Sequence, residues 1–343
     1  DHRDLHSFPT RRSSDLGLVC LGKTHMSELA FSGLGLNPVT ATPPCVNDPA
    51  AVPGGSSSGA AASVAHGLAP AAVGTDTGGS AYLPAGWDDP VGFKPSHGRL
   101  PLEGIVPLAL RFDTPGPLAR SVEDCAMVFA AMAGERPADL SGSGLRGMRL
   151  AILETVAMDA LRDHPATGFD TATDRLARAG ARVERLIAPE VAEAMSLSGT
   201  LLTAEAYGLW RDTIEAAPGK MFARILERFR SGGSVTAADY VAAWRRMESL
   251  RAVWAERTAG YDAVILPTSP ILPPDARRLM EDDDYYVVEN LLALRNARIG
   301  NLFASCAITL PTGQPSCGLM LMAGPGQEGR LLRVAAAAER ALG

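Results

Sequence analysis

The sequence has few cysteines, and their arrangement excludes several classes of protein. The 343 residues include five, Cys20, Cys45, Cys125, Cys306 and Cys317, and no C-x-x-C pair. Metal clusters and disulfide frameworks need closer spacing or even pairing. We therefore interpret the five as ordinary thiols of a cytoplasmic protein, and we expect neither a metal nor another cofactor.

The sequence also lacks long apolar runs and clustered cations. It contains no run of 18 apolar residues, so we predict no membrane-spanning helix. The net charge is −6, and no block of Lys and Arg occurs after the first dozen residues. Direct nucleic-acid binding is not expected, because it needs clustered cations. The expected partners are a small-molecule substrate and, as one option, a second copy of the chain.

Residues 1–16 differ from the rest of the chain. They read DHRDLHSFPTRRSSDL, with no initiator Met and no apolar periodicity. This stretch resembles translated sequencing-adaptor sequence, and a natural disordered tail is the alternative. We therefore exclude it from the fold and assign residues 17–343 to one folded domain.

From Gly17 onward, strand-like and helix-like segments alternate. Residues 17–24 form a short apolar run, whereas the Ala-rich stretch 59–68 is typical of a helix. Residues 262–268 include four consecutive apolar residues before a proline, typical of a strand covered on both faces. Apolar residues at helical spacing predict further helices at 169–179 and 331–342. This alternation predicts an α/β protein with a largely internal sheet.

Two Gly-Gly-Ser turns carry the main chemical signal. They end at Ser56 and Ser80, within residues 53–85. Glycine pairs allow the backbone to approach a ligand closely, and consecutive N–H groups in such a turn can point at one spot. A serine directly after such donors is suited to acyl transfer, because the donors can hold a developing oxyanion.

Other interpretations of these turns agree less well with the sequence. A Gly/Ser-rich run is often a flexible linker, but both turns are embedded in apolar sequence. A phosphate-binding loop would need the G-x-x-x-x-G-K-[ST] pattern, and no lysine follows either turn. There is no G-x-S-x-G elbow around Ser80. His66 and His97 lie near the turns in sequence and leave a Ser–His mechanism open as a minor alternative.

Several motifs in a fixed order resemble the amidase signature family. GGSSSGAAASVAHG is followed by GTDTGGS, with Ser80 placed 24 residues after Ser56. The flanking motifs are GKTHMSELAFSGLGLNP (22–38), GFKPSHGRLPLEGIVPLA (92–109), DTPGPLARSVEDCA (113–126) and YDAVILPTSP (261–270). The resemblance covers about residues 17–343. It implies the family's fold, a central mixed, mostly parallel β-sheet covered by α-helices on both faces.

The resemblance implies hydrolysis of a carboxamide C–N bond through a serine acyl-enzyme. Ser80 would be the nucleophile, and Ser56, after a cis Gly55–Ser56 peptide, the bridging serine. The backbone N–H groups of residues 77–80 would form the oxyanion hole. The predicted oxyanion and substrate-binding residues are Thr77, Gly78, Gly79 and Ser57.

The general base of the family is a lysine in an upstream G-x-P-x-x-x-K-D segment, and no such segment occurs here. The chain has three lysines, Lys23, Lys94 and Lys220, and none is followed by Asp. Lys23 and Lys94 already belong to other family motifs. We expect the base to be absent, the chain to be an N-terminally truncated member, and this form to be inactive.

The sequence gives less information about the substrate than about the reaction. The family commonly has Arg two residues after the nucleophile, where this chain has Tyr82. This difference favours a neutral or apolar substrate. The alternatives within the family are the glutaminase subunit of a tRNA-dependent amidotransferase and an allophanate-hydrolase-type enzyme. Outside enzymes, the alternative is a non-catalytic member that has kept the fold.

Overall fold

A computed structural model describes residues 17–343, so the predicted tail at 1–16 lies outside the described part of the chain. The strands are β1 (Ala71–Asp76), β2 (Val91–Lys94), β3 (Thr114–Ala119), β4 (Arg149–Leu153), β5 (Arg182–Leu186), β6 (Ala263–Pro267), β7 (Cys306–Pro311) and β8 (Gly318–Ala323). The helices are α1 (Ser58–Ala65), α2 (Tyr82–Asp88), α3 (Val122–Ala133), α4 (Asp163–Arg178), α5 (Pro189–Ala216), α6 (Ala223–Arg230), α7 (Ala237–Thr258), α8 (Ala276–Glu281), α9 (Asp283–Leu302) and α10 (Glu328–Leu342).

The described strands form one mixed sheet in the order β1-β3-β2-β7-β8-β6-β4-β5. Strand β4 pairs in parallel with β5 and with β6. The other five pairings are antiparallel, so the expectation of a mostly parallel sheet is wrong for these strands. One cause is local: the turn at 312–317 joins β7 to β8, and strands joined by so short a turn must run in opposite directions.

Helices cover both faces of the sheet, as expected. Side chains of β8 alternate between two cores, in keeping with the two-residue period of a strand. Met320 and Met322 belong to a core that contains residues of α5, α7 and α9. Leu319 and Leu321 belong to a second core, with residues of α3, α4 and α10. The α/β prediction is confirmed.

Most elements predicted from local patterns are present. The Ala-rich stretch forms α1, the apolar run before a proline forms the fully buried β6, and the C-terminal periodic segment forms α10. The apolar run at 17–24 forms no strand, and Val19 and Leu21 are 83% and 70% exposed. A strand needs a neighbour to satisfy its backbone, and none of the described strands pairs with this segment.

Two sequence predictions concern the cysteines and the possibility of a membrane-spanning helix. All five cysteines are free thiols; Cys20 is exposed and the others are buried. Burial raises the pKa of the Cys45 thiol to about 11. Within residues 17–343, no helix combines the length and the hydropathy that crossing a bilayer requires.

Candidate active site

The fold brings the two Gly-Gly-Ser turns together. The first turn leads into α1, and the second joins β1 to α2. The backbone N–H of Ser57 donates to the carbonyl oxygen of Ser80 over 3.3 Å. Ser56 is fully buried, Ser80 is 5% exposed, and the peptide bond between Gly55 and Ser56 is cis, as the family resemblance implied. The two predicted catalytic serines therefore belong to one site.

Glycine is required at key points of both turns because other parts of the chain come very close. Gly79 has φ +117°, and a Cβ added to it would lie 2.3 Å from the Cβ of Ala297 on α9. A Cβ on Gly55 would lie 2.5 Å from the backbone nitrogen of Gly35. Both distances are shorter than any tolerated contact, so a side chain at either position would displace the turn.

Asp76, the last residue of β1, holds the second turn from inside. Its carboxylate accepts hydrogen bonds from the backbone N–H of Gly79 (2.9 Å) and Ala81 (2.6 Å), and from Nδ2 of Asn301 (2.6 Å). Burial raises the pKa of this carboxyl above its usual range, and the positive charge of Lys94 and the three donors oppose the shift. A buried carboxylate with three donors fixes the loop on which Ser80 sits.

The donors to an oxyanion differ in part from the expectation. Because the N–H of Gly79 donates to Asp76, it points into the protein. The N–H groups of Thr77, Gly78 and Ser80 have no hydrogen-bond acceptor among the described residues. These three groups are the ones that a ligand at Ser80 could use.

Thr77 is positioned by the motif that begins at residue 113. Its Oγ1 donates to the carboxylate of Asp113 over 2.5 Å, and the same carboxylate accepts the N–H groups of Leu108 and Ala109. Burial raises the pKa of Asp113. The conformation of residue 77 is therefore determined by a residue that lies 36 positions further along the chain.

A narrow cleft opens beside Thr77. Its lining is mostly apolar and consists of Ala30, Thr75, Thr77, Leu102, Ile105, Val106, Leu108, Asp113 and Thr114. A wider depression elsewhere is lined by Arg175, Arg178 and the C-terminal residues, and it includes none of the predicted site residues. The narrow cleft includes one predicted site residue, Thr77, and its lining contains neither Ser56 nor Ser80.

Ser57 holds the turn in place. Its hydroxyl donates to the carbonyl oxygen of Thr75 (3.0 Å) and accepts from the N–H of the same residue (3.1 Å). A Cβ on Gly74 would lie 2.8 Å from this hydroxyl oxygen. The side chain predicted to contact substrate is therefore engaged with β1, where it fastens the first turn to the sheet.

The side chain of Ser56, unlike that of Ser57, is not held by hydrogen bonds. Its Oγ is buried and has no hydrogen-bond partner among the described residues. A buried polar group left unpaired costs about 1–3 kcal/mol, so such groups are rare in folded proteins. The Ser56 hydroxyl forms no hydrogen bond with Ser80 either, so it is free to bond to a reacting group.

None of the three lysines forms a hydrogen bond with Ser56. Lys94 is buried, and its Nζ donates to the carbonyl oxygens of Pro95 (2.9 Å) and Ser305 (2.7 Å). Burial lowers the pKa of Lys94, and the negative charge of Asp76 opposes this. Lys23 and Lys220 are exposed. Residues 17–343 thus place no lysine in the position of the family's base.

The histidines do not provide an alternative base. His66 and His97 are both exposed, and neither forms a hydrogen bond with Ser56 or Ser80. The ring of His97 lies 2.8 Å from the carbonyl oxygen of Leu110. The described residues contain no Ser–His pair at this site.

The side chain of Tyr82 is buried against α9, which removes the basis for expecting a neutral substrate. The side chain is fully buried, and its hydroxyl lies 2.6 Å from Oδ1 of Asn301 and 2.5 Å from the carbonyl oxygen of Ala297. Burial and the neighbouring Asp76 raise the pKa of this phenol. The residue at position 82 supports the turn through α9, so it does not report on substrate charge.

One charged residue beside the site has no counterpart in the sequence predictions. Arg298 on α9 is 8% exposed, and a Cβ on Gly78 would lie 3.8 Å from its Nε. That Nε has no hydrogen-bond partner among the described residues. Local pattern gives no sign of this, because Arg298 reaches the loop only through the packing of α9.

Comparison with known proteins agrees with this geometry. The model of the Amidase family matches residues 4–332. The chain is 35% identical over 345 residues to 2-amino-5-chloromuconic acid deaminase of Comamonas testosteroni, covering 97% of this chain and 74% of that protein. A crystal structure of an amidase superposes with a TM-score of 0.86 at 29% identity, over 96% of this chain and 76% of the other.

A further structural relative is a glutamyl-tRNA(Gln) amidotransferase subunit from Thermotoga maritima. It has a TM-score of 0.82 and 26% identity, and the match covers 96% of this chain and 75% of that one. The chain belongs to the amidase family, and its fold is that of the amidase signature enzymes. These relatives support the hydrolysis of amides by this chain.

Proposed function

We propose that the site cleaves a carboxamide C–N bond with Ser80 as nucleophile. The Ser80 Oγ attacks the carbonyl carbon as its proton passes to the Ser56 hydroxyl, which at the same time gives its own proton to the amide nitrogen, and the carbonyl oxygen becomes an oxyanion. The N–H groups of Thr77, Gly78 and Ser80 donate to that oxyanion. The C–N bond then breaks as the oxyanion re-forms the carbonyl, and the protonated nitrogen leaves as the amine. Water hydrolyses the resulting ester and restores Ser80.

The pairing of the two serine turns carries this proposal. Ser56 and Ser80 lie on turns joined by a backbone hydrogen bond, and Ser56 Oγ is buried without a partner in the described part of the chain. Two other groups of the site are saturated, because Ser57 is bonded to β1 and Asp76 to three donors. Of the side chains of Ser56, Ser57 and Asp76, that of Ser56 is therefore the one left free to take part in the reaction.

The relay lacks a base in the described residues, and we propose that residues 1–343 on their own turn over amides very slowly. Proton transfer by a positioned base contributes about 100- to 10,000-fold to rate. Lys94 is held by two carbonyl oxygens, and Lys23 and Lys220 are exposed. Ser80 retains its donors, so a reagent that needs little general base would still react with it.

A labelling experiment tests these statements separately. Residues 1–343 are treated with a fluorophosphonate, and the modified peptide is identified by mass spectrometry. We expect slow modification of Ser80, its loss in Ser80→Ala, and a reduced rate in Ser56→Ala. Ser63→Ala is the matched control, because this α1 hydroxyl is bonded only to the carbonyl oxygen of Ala60 within the described part.

Amide turnover by the same samples completes the test. Rapid turnover by residues 1–343 would show that another group acts as base, while labelling at a serine other than Ser80 would disprove the assignment of the nucleophile. Complete resistance to the reagent by the folded protein would favour the non-catalytic alternative.

The second candidate function is that of a glutaminase component of an amidotransferase. Its support is the similarity to the amidotransferase protein of Thermotoga maritima. A component of this kind works together with a partner, so glutamine hydrolysis would depend on a co-purifying protein. Affinity purification from the native organism, followed by a glutaminase assay of the isolated chain and of the complex, distinguishes this function from that of a stand-alone amidase.

A further inference from the structure

Arg298 is a buried cation without a matching anion. It is 8% exposed, and its single side-chain hydrogen bond among the described residues is a long one, 3.4 Å from Nη1 to the hydroxyl of Ser198. No carboxylate of the described chain pairs with it. Two buried glutamates, by contrast, are paired with arginines, Glu289 with Arg162 and Glu190 with Arg257.

The electrostatic surroundings leave this charge uncompensated. Burial lowers the pKa of Arg298 to about 9, and the positive charge of Arg228 acts in the same direction. Arg228 itself donates to the carbonyl oxygen of Phe31 and lies over the ring of that residue. A buried guanidinium with a second cation nearby and no acid is unfavourable unless an anion joins it.

The position of the guanidinium connects it to the serine turns. Its Nε would lie 3.8 Å from a Cβ on Gly78, a residue whose N–H is one of the proposed oxyanion donors. Gly78 lacks a side chain, so no side chain of that residue stands between its backbone and the arginine. The neighbouring Ala297 and Asn301 on α9 contact Gly79 and Asp76, so the helix holds the cation at a fixed place relative to the loop.

We propose that Arg298 binds a carboxylate group of the substrate, so that the amides hydrolysed at Ser80 are acidic ones, such as monoamides of dicarboxylic acids. The guanidinium donates to the carboxylate through Nε and a terminal nitrogen, a geometry that suits two parallel hydrogen bonds. This inference rests on the proposed function, because it places the substrate's carboxamide at Ser80. It reverses the expectation of a neutral substrate that was based on Tyr82.

The test measures binding in the Ser80→Ala background, where no turnover intervenes. Succinamate and glutaramate are the acidic probes, and butyramide and valeramide their neutral counterparts, each titrated by calorimetry. We expect the acidic amides to bind at least tenfold more tightly than the neutral ones. Arg298→Met should weaken the acidic amides by about 10- to 100-fold and leave the neutral ones unchanged, since charged hydrogen bonds contribute on this scale. Arg298→Lys should restore part of the difference.

Two controls separate recognition from a structural role. Arg295→Met removes a nearby α9 arginine that donates to the carbonyl oxygen of Ala157, and it should leave the preference for acidic amides intact. The melting temperature of ligand-free Arg298→Met should equal or exceed that of the parent protein, because an unpaired buried charge is removed. A merely structural arginine would lower it.

The outcomes are distinguishable from those of the proposed function. Equal binding of acidic and neutral amides, or binding of neither, overturns the inference, and this comparison needs only the parent protein if Arg298→Met does not fold. Arg298-dependent binding by a folded protein whose Ser80 resists the fluorophosphonate would retain the carboxylate site and remove the amidase proposal. Labelling of Ser80 without a preference for acidic amides would remove the carboxylate site and retain the amidase proposal.

Discussion

Asp76 and Arg298 are two buried ionisable residues beside the Ser80 loop, and they differ in how far their polar atoms are paired by hydrogen bonds. The carboxylate of Asp76 accepts three short hydrogen bonds, from Gly79, Ala81 and Asn301. The guanidinium of Arg298 makes one long hydrogen bond and leaves Nε unpaired among the described residues. A saturated buried charge stabilises the scaffold, whereas an unsaturated one is unfavourable until a ligand arrives. The contrast predicts opposite responses to mutation.

The largest effect is expected at the saturated charge. Asp76→Ala leaves three buried donors without an acceptor, so the free energy of unfolding should fall by about 3–5 kcal/mol. Urea denaturation followed by circular dichroism measures this. Asp174→Ala, at an exposed position on α4, is the control and should change stability by less than about 0.5 kcal/mol. A loss below about 1 kcal/mol at Asp76 would contradict its role as the support of the loop.

The next effect concerns the close approach of the loop to α9. Gly79→Ala adds a Cβ 2.3 Å from that of Ala297 at a φ of +117°, and it should destabilise the protein by about 2–4 kcal/mol and slow labelling of Ser80. Gly78→Ala is the matched control, since its nearest neighbour would be 3.8 Å away. We expect the control to cost less than about 1 kcal/mol in unfolding experiments. Equal losses at the two positions would mean that the contact with α9 is not what fixes the turn.

A third prediction concerns the pH dependence of stability and a second buried residue with an unpaired polar atom, Asp88. Asp88 is 1% exposed; its Oδ1 accepts the N–H of Val46, and its Oδ2 has no partner in the described part of the chain. Burial raises the pKa of this carboxyl to about 7. Because the folded pKa lies above the unfolded one, this group favours folding at low pH, and its contribution is lost as the pH rises toward 7.

Asp88→Asn should therefore stabilise the protein by about 1–3 kcal/mol near pH 8 and change little near pH 4. Unfolding by urea at the two pH values measures the difference. The matched variant is Asp89→Asn, because that carboxylate accepts hydrogen bonds from Asn47 (2.7 Å) and Ser316 (3.1 Å). Burial raises the pKa of Asp89 as well, but the substitution also loses these two hydrogen bonds, so Asp89→Asn should stabilise the protein less than Asp88→Asn near pH 8. A stabilisation of Asp88→Asn that is independent of pH would point to packing rather than charge.

The smallest effect is expected at Tyr82. Tyr82→Phe removes one hydroxyl from the network that links Asn301 to Asp76, and it should lower the free energy of unfolding by about 1–2 kcal/mol. It should leave the preference for acidic over neutral amides unchanged, as measured by calorimetry. A change in that preference would place Tyr82 in contact with substrate after all.

The fold and the two serines were accessible from sequence because their signals are local. The apolar run of β6, the periodic face of α10 and the Gly-Gly-Ser turns each lie within a short window. The family resemblance then supplied the order of the motifs. The apolar run at 17–24 resembled a strand but forms none, because apolar composition alone does not show whether a partner strand exists.

The details of the site depend on contacts that no local window contains. The direction of the Gly79 N–H is set by Asp76, and that of the Tyr82 side chain by α9. Arg298 is 218 residues from Ser80 in sequence and meets the loop only through the placement of α9. Sequence therefore indicated the candidate reacting serines, while the proposal that Arg298 meets the substrate needed the structure.

The hydroxyl of Ser57 has a consequence for the edge of the sheet. It occupies both the N–H and the carbonyl oxygen of Thr75 on β1, which is the terminal strand of the described sheet. The outward-facing backbone groups of this edge strand are thus occupied at Thr75 by a side chain, so another strand could not pair with β1 at this residue. Ser57 thereby fastens the turn of Ser56 to the strand that leads into the turn of Ser80. Because Ala297 and Asn301 of α9 contact Gly79 and Asp76, the helix that carries Arg298 is tied to the same part of the sheet.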